Sequence, residues 1–160
     1  MNVYFVALML ACCAYAFAAG GAPERIGAAI FLIGSLLTYA AVMSSPIHYR
    51  GVEIGVFAVD AASFLAFVLL ALRADRYWPL WVSALVGIGL VGHLAMLLRP
   101  QVIPWAYAVI LTVWSYPMLL IMAAGTRAHQ LRIKRNGADP SWMRSSAPPG
   151  PAMPPAGPTP

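Results

Sequence analysis

The stretch 52–72, VEIGVFAVDAASFLAFVLLAL, decides how this chain must be read. It holds two ionisable groups, Glu53 and Asp60, in an otherwise apolar run closed by Arg73, Asp75 and Arg76. As a helix at 1.5 Å per residue it would measure about 32 Å, enough to cross a hydrocarbon core of about 30 Å. Working outward, 78–98 is a second such run, with Pro79 in its first turn, where no N–H is needed. Upstream, 23–43 is stopped by Ser44-Ser45-Pro46 and 2–19 by Gly20-Gly21; downstream, 104–124 ends at Gly125, a suitable C-cap. The expectation is an all-α, membrane-embedded bundle of five transmembrane helices within 1–126, with short loops and antiparallel neighbours. A basic juxtamembrane segment, 127–135, follows, and then a disordered Pro-rich C-terminal tail, 136–160.

Bulk composition agrees. Of 160 residues 61% are hydrophobic and 9% charged, against about 25% charged in soluble domains. So few charges cannot coat a globule in water. A soluble enzyme and a disulfide-rich secreted module are both excluded. The two cysteines, Cys12 and Cys13, are adjacent in an apolar run and read as small packing residues. Ala16-Phe17-Ala18 has the form of a cleavage site, but no Lys or Arg precedes the apolar run, so the segment is expected to stay as helix one.

Charge placement sets an orientation. With five crossings, one side receives Arg25, Arg73, Arg76, Arg127, Arg132, Lys134, Arg135 and Arg144, and the other only Arg50 and Arg99. The positive-inside rule then puts the N-terminus outside and the C-terminus in the cytoplasm. Tyr4 and Trp105 mark the outer interface, and Tyr77, Trp78 and Trp81 the inner one. Arg127, Arg132, Lys134 and Arg135 are placed to meet anionic lipid headgroups, at about 1 kcal/mol per charge. That duty accounts for the basic stretch without nucleic acid. Nine arginines against one lysine, in an Ala/Gly/Pro-rich chain, suggest a bacterial inner (cytoplasmic) membrane.

The polar residues inside the spans are the candidate site. Glu53, Asp60 and Ser63 share one stripe of helix three at i, i+7 and i+10. A carboxylate at the depth of Asp60 must be paired, hydrated or protonated. His93, on the antiparallel neighbour, is its expected partner, read first as a polar clamp fixing helix register and second as a pair that holds a ligand or a proton. Ala58, Ala62 and Ala66, and separately Ser83 and Gly87, are expected helix-packing rows. Gly87, Gly89 and Gly92 spell a dinucleotide fingerprint, but they lie mid-span with no acid until Asp139, so close helix approach is the reading. Pro117, within Trp114-Ser115-Tyr116-Pro117, is expected to kink helix five. Neither a haem ligand pair, a metal site nor a catalytic cluster can be assembled, and no cofactor is expected.

The wording of Asp75-Arg76-Tyr77-Trp78-Pro79-Leu80-Trp81 and of Trp114-Ser115-Tyr116-Pro117 resembles that of a group of small multi-pass bacterial inner-membrane proteins. The resemblance covers about a third of the chain and implies no activity. The function expected is that of a non-enzymatic accessory or interaction subunit, meeting the lipid bilayer and either a membrane-protein partner or a second copy of itself. The alternative is a small proton-linked transporter or ligand-binding protein using Asp60 and His93.

Overall fold

Helices begin and end where side chains force them to. The computed structural model describes residues 3–44, 54–98 and 113–143. Among them are five helices: α1 Val3–Ala19, α2 Ala22–Ser44, α3 Ile54–Arg73, α4 Trp78–Leu98 and α5 Ser115–Asn136. The α1–α2 reversal needs Gly20, because a Cβ there would lie 2.4 Å from the Ala16 carbonyl oxygen and 2.5 Å from Glu24 Cβ. Gly21 then caps α2: its N–H donates to Glu24 Oε2 at 3.0 Å, one half of a capping box. Pro117 falls in the first turn of α5, after Trp114 at the N-cap, where its missing N–H costs nothing. Val113, just before Trp114, is helical and Trp114 keeps right-handed helical angles, φ −68° and ψ −19°, so the expected kink at Pro117 falls at the edge of the described residues.

The helices close a ring in which α1 meets α2 and α5, α2 meets α3, α3 meets α4, and α4 meets α5. Sequence neighbours within α1–α4 are antiparallel. α1 and α5 run parallel. Phe5 meets Tyr116 edge-on at 5.4 Å near one end, and the Gln130 side-chain amide donates to the Ala19 carbonyl at the other. The start of α1 and the end of α5 therefore lie at opposite ends of the bundle.

Among the described residues three helices, Ala22–Met43, Ile54–Arg73 and Trp78–Met96, are long and apolar enough to cross a membrane. This corrects the expected five crossings. α1 has 17 residues and reaches only about 26 Å, short of the ~30 Å core. Of the expected 104–124 run the described α5 takes in 115–124, and its second half carries Arg127, Arg132, Lys134 and Arg135; residues 104–112 are outside the described ones. Large apolar side chains such as Leu36, Leu65 and Leu72 face outward, as they must when the surroundings are hydrocarbon. The protein is an apolar multi-span helical membrane protein.

Trp78 organises one end of the core. Expected at the membrane interface, it is instead buried at 6% exposure, while Tyr77 and Trp81 are outward. Its indole fills the space left by Gly27 of α2 and Gly125 of α5. A Cβ at Gly27 would lie 2.4 Å from Cη2, and one at Gly125 2.5 Å from Cδ1. Phe67, edge-on to Trp78 at 6.4 Å, and Phe31, 5.1 Å from Phe67, extend the contact into α3 and α2. Gly125 is therefore a mid-helix contact and not a cap. The C-cap is Gly137, at φ 74°, with its N–H donating to the Ile133 carbonyl at 2.9 Å.

Beyond Gly137 the chain turns back. The Asp75 N–H donates to the Ser141 carbonyl at 3.2 Å and the Met143 N–H to the Arg73 carbonyl at 3.1 Å, an antiparallel bridge between Ala74 and Trp142. Residues 137–143, inside the segment read from sequence as tail, thus lie along the α3–α4 turn. Residues 144–160 are outside the described ones.

The Trp78 seat gives a direct test. Gly125→Ala is expected to lower unfolding free energy in detergent by about 1–3 kcal/mol, the usual cost of overfilling a close contact. An unfolding midpoint equal to that of the parent would show that Gly125 does not hold the indole.

Candidate functional site

Polar side chains gather at both ends of the bundle. At the end where α1 starts, Asp60 of α3 and His93 of α4 come to one level, because the two helices are antiparallel across a short turn. His93 Nε2 lies 3.0 Å from Asp60 Oδ2. The imidazole is 1% exposed and the carboxylate 29%, and the edge of Phe57 stands 5.8 Å from the ring. One hydrogen joins the pair, with Nε2–H donating to the carboxylate. Ser63 faces α2, its hydroxyl 3.2 Å from where a Cβ on Gly34 would sit. Glu53, the remaining member of the stripe, is outside the described residues.

The expected packing rows divide. Ser83 is buried, its hydroxyl donating to the Leu80 carbonyl at 2.8 Å, and a Cβ on Gly87 would meet Phe64 of α3 at 3.2 Å. That row lies between helices of this chain. Ala58 and Ala62 are exposed and Ala66 half-buried, so the alanine row of α3 points outward.

The opposite end holds a buried ion network that sequence reading did not assemble. Glu24 is fully buried at the start of α2. Its Oε1 accepts the indole N–H of Trp78 at 3.0 Å and lies 3.5 Å from Arg76 Nε. The Arg76 side chain, 3% exposed, extends from the α3–α4 turn to Asp139, donating through Nη2 to Oδ2 at 2.6 Å. Asp139 also takes His129 Nδ1 on Oδ2 at 2.6 Å and Arg132 Nε on Oδ1 at 3.0 Å. Arg76 Nη2 and His129 Nδ1, 3.3 Å apart, thus stand side by side against the same carboxylate oxygen.

Of the four residues expected at lipid headgroups, Arg127, Lys134 and Arg135 are exposed. Arg132 is half-buried and turned inward to Asp139. The missed signal was the scarcity of acid. With five Asp and Glu in the chain, an acid beside a Gly-Gly turn and another after the basic stretch each call for a cation at the same end.

Burial acts to raise the Asp139 carboxyl, but the hydrogen bonds from His129 and Arg132 and the charges of Arg76 and Arg132 outweigh it and hold it below its ordinary value. Among the described residues, two buried donors, Arg76 Nε and Arg132 Nη2, have no hydrogen-bond partner. Cys12 and Cys13 are buried free thiols. Among the described residues no three His, Cys, Asp or Glu side chains are grouped to hold a metal. Compared with protein-family models, with curated proteins and with solved structures, the chain matches none.

A depressed carboxyl stabilises the fold above its unfolded pKa, about 3.9, and loses that contribution as pH falls through the folded value. The melting-temperature gap between the parent and Asp139→Asn is therefore expected to stay level from neutral pH to about 4 and to narrow below it. A gap that already closes between pH 7 and 5 would mean that another group governs the network.

Proposed function

We propose that this chain is a non-enzymatic accessory or interaction subunit of a bacterial inner membrane, with the α1–α2 and α3–α4 turns on the cytoplasmic side. The orientation is supported by charge: every Lys and Arg among the described residues stands at the α1–α2 turn, the α3–α4 turn or the second half of α5, which share one end of the bundle.

The observation that carries the interaction reading is the outward line of α3. Ala58, Ala62, Leu65, Leu69 and Leu72 are all exposed, and their spacings alternate four and three, the period of a helix–helix seam. Small residues at one end of that line let another backbone come close, and van der Waals contact is what joins helices in lipid. An open apolar groove of about 360 Å³ lies alongside, lined by Phe64 and Val68 of α3 and by Leu80, Trp81, Ser83 and Ala84 of α4.

Ala62→Trp is expected to cut self-association, or recovery of a co-purifying membrane protein, about tenfold, equivalent to 1.4 kcal/mol. Leu36→Trp, on the outward side of α2, serves as control and should leave it unchanged. Equal behaviour of the two variants would remove α3 as the contact surface.

A second reading is favoured by one feature. The Asp60–His93 pair is an ionisable couple within candidate spans, with the acid partly exposed, and such groups mark ion and substrate paths. In liposomes holding a pH-sensitive dye, Asp60→Asn should then slow proton entry by about tenfold or more relative to the parent, well beyond what loss of one interhelical hydrogen bond, about 1 kcal/mol of stability, would produce. Rates equal to those of Asp60→Asn and of empty liposomes would leave the pair as a clamp on helix register.

A further inference from the structure

The end of the bundle that carries Asp139 has more donors than a carboxylate can use. Arg76, His129 and Arg132 converge on it from two elements, at 2.6, 2.6 and 3.0 Å. Arg132 presents the side of its guanidinium where Nε and one terminal nitrogen form a fork, the edge that grips carboxylates and phosphates with two parallel bonds. Only Nε is engaged, while Nη2 is buried without a partner. Arg76, almost wholly buried, likewise keeps a donor, Nε, with no hydrogen bond.

We propose that Arg76, His129 and Arg132 form an oxyanion site, that Asp139 fills it from within the chain, and that it takes a phosphate group when the 137–143 segment moves away. Charge sets the class of ligand. With Asp139 withdrawn, two guanidiniums face one carboxylate, Glu24, whose Oε1 stands 3.5 Å from Arg76 Nε. A single positive charge remains, which the monoanion of a phosphate ester balances. A phosphate also brings more acceptor oxygens than the two of Asp139, enough to engage the idle Nη2 of Arg132.

The occupant is held by little else. Residues 137–143 are joined to the α3–α4 turn by two backbone hydrogen bonds, at 3.2 and 3.1 Å. Exposed Arg25, Arg73, Arg127, Lys134 and Arg135 stand at the same end and would raise the local concentration of anions. The inference uses a different end of the molecule from the Asp60–His93 pair and does not depend on the α3 seam.

The test uses the full chain in a non-ionic detergent, with short-chain phosphatidylglycerol in one titration and inorganic phosphate in another, chloride holding ionic strength constant. Asp139→Ala should melt below the parent and recover as either probe is added. Half-recovery is expected at about a tenfold lower concentration than any effect on the parent, because the internal competitor is gone. Recovery with phosphatidylglycerol alone assigns the site to a lipid headgroup, and recovery with inorganic phosphate alone to a soluble anion; recovery with both shows that it reads the phosphate itself. The double variant Asp139→Ala/Arg132→Gln should lose the recovery. No recovery with either probe, or equal recovery in the double variant, overturns the proposal. If Asp139→Ala does not fold, Asp139→Asn, which keeps the shape and drops the charge, goes through the same two titrations, and recovery or its absence counts in the same way.

Discussion

A charge buried in hydrocarbon has to be met by another side chain, and this protein has few to spare. Three of its five acids are seen in contact with cations or imidazoles: Asp60 with His93, Glu24 with Arg76 and the Trp78 N–H, and Asp139 with Arg76, His129 and Arg132. An ion left unpaired in such surroundings costs several kcal/mol. Each of these contacts therefore restricts where two or more elements can stand. Asp60 and His93 hold α3 level with α4 at one end. The Arg76 network joins the start of α2, the α3–α4 turn, α5 and the returning segment at the other.

Between those ends the helices meet through shape. Lipid gives apolar side chains no reason to leave it, so helices associate where small residues admit large ones. Gly27 and Gly125 make room for the Trp78 indole, and Gly87 for Phe64. Trp78 links the two regimes, since its ring fills the glycine seat while its N–H reaches the buried carboxylate of Glu24. Position 78 thus needs both the volume of an indole and a donor at its edge.

The returning segment changes how the molecule is divided. Asp139 belongs to the bundle as much as any helical residue does, since its carboxylate completes a set of donors supplied by α5 and the α3–α4 turn. Polar chemistry is thus kept near the two rims, leaving an apolar outer surface between them.

Chain composition and the lengths of apolar runs determined a great deal unaided. The helices at 3–19, 22–44, 54–73 and 78–98 follow apolar runs bounded by Gly-Gly, Ser-Ser-Pro and Arg-containing stops, because hydropathy and breakers are local properties. That Asp60 and His93 meet follows as well, from a fixed rise per residue and a short turn between two helices. How many helices can cross was not legible in the same way, since it depended on helix lengths: among the described residues α1 stops at 17 residues and α5 extends into the basic stretch. Nor could sequence place Trp78 in the core, carry Asp139 back to Arg76, or turn Arg132 away from the lipid. Those outcomes belong to the tertiary structure, because a buried indole or ion goes where residues distant in the chain leave it space and a partner.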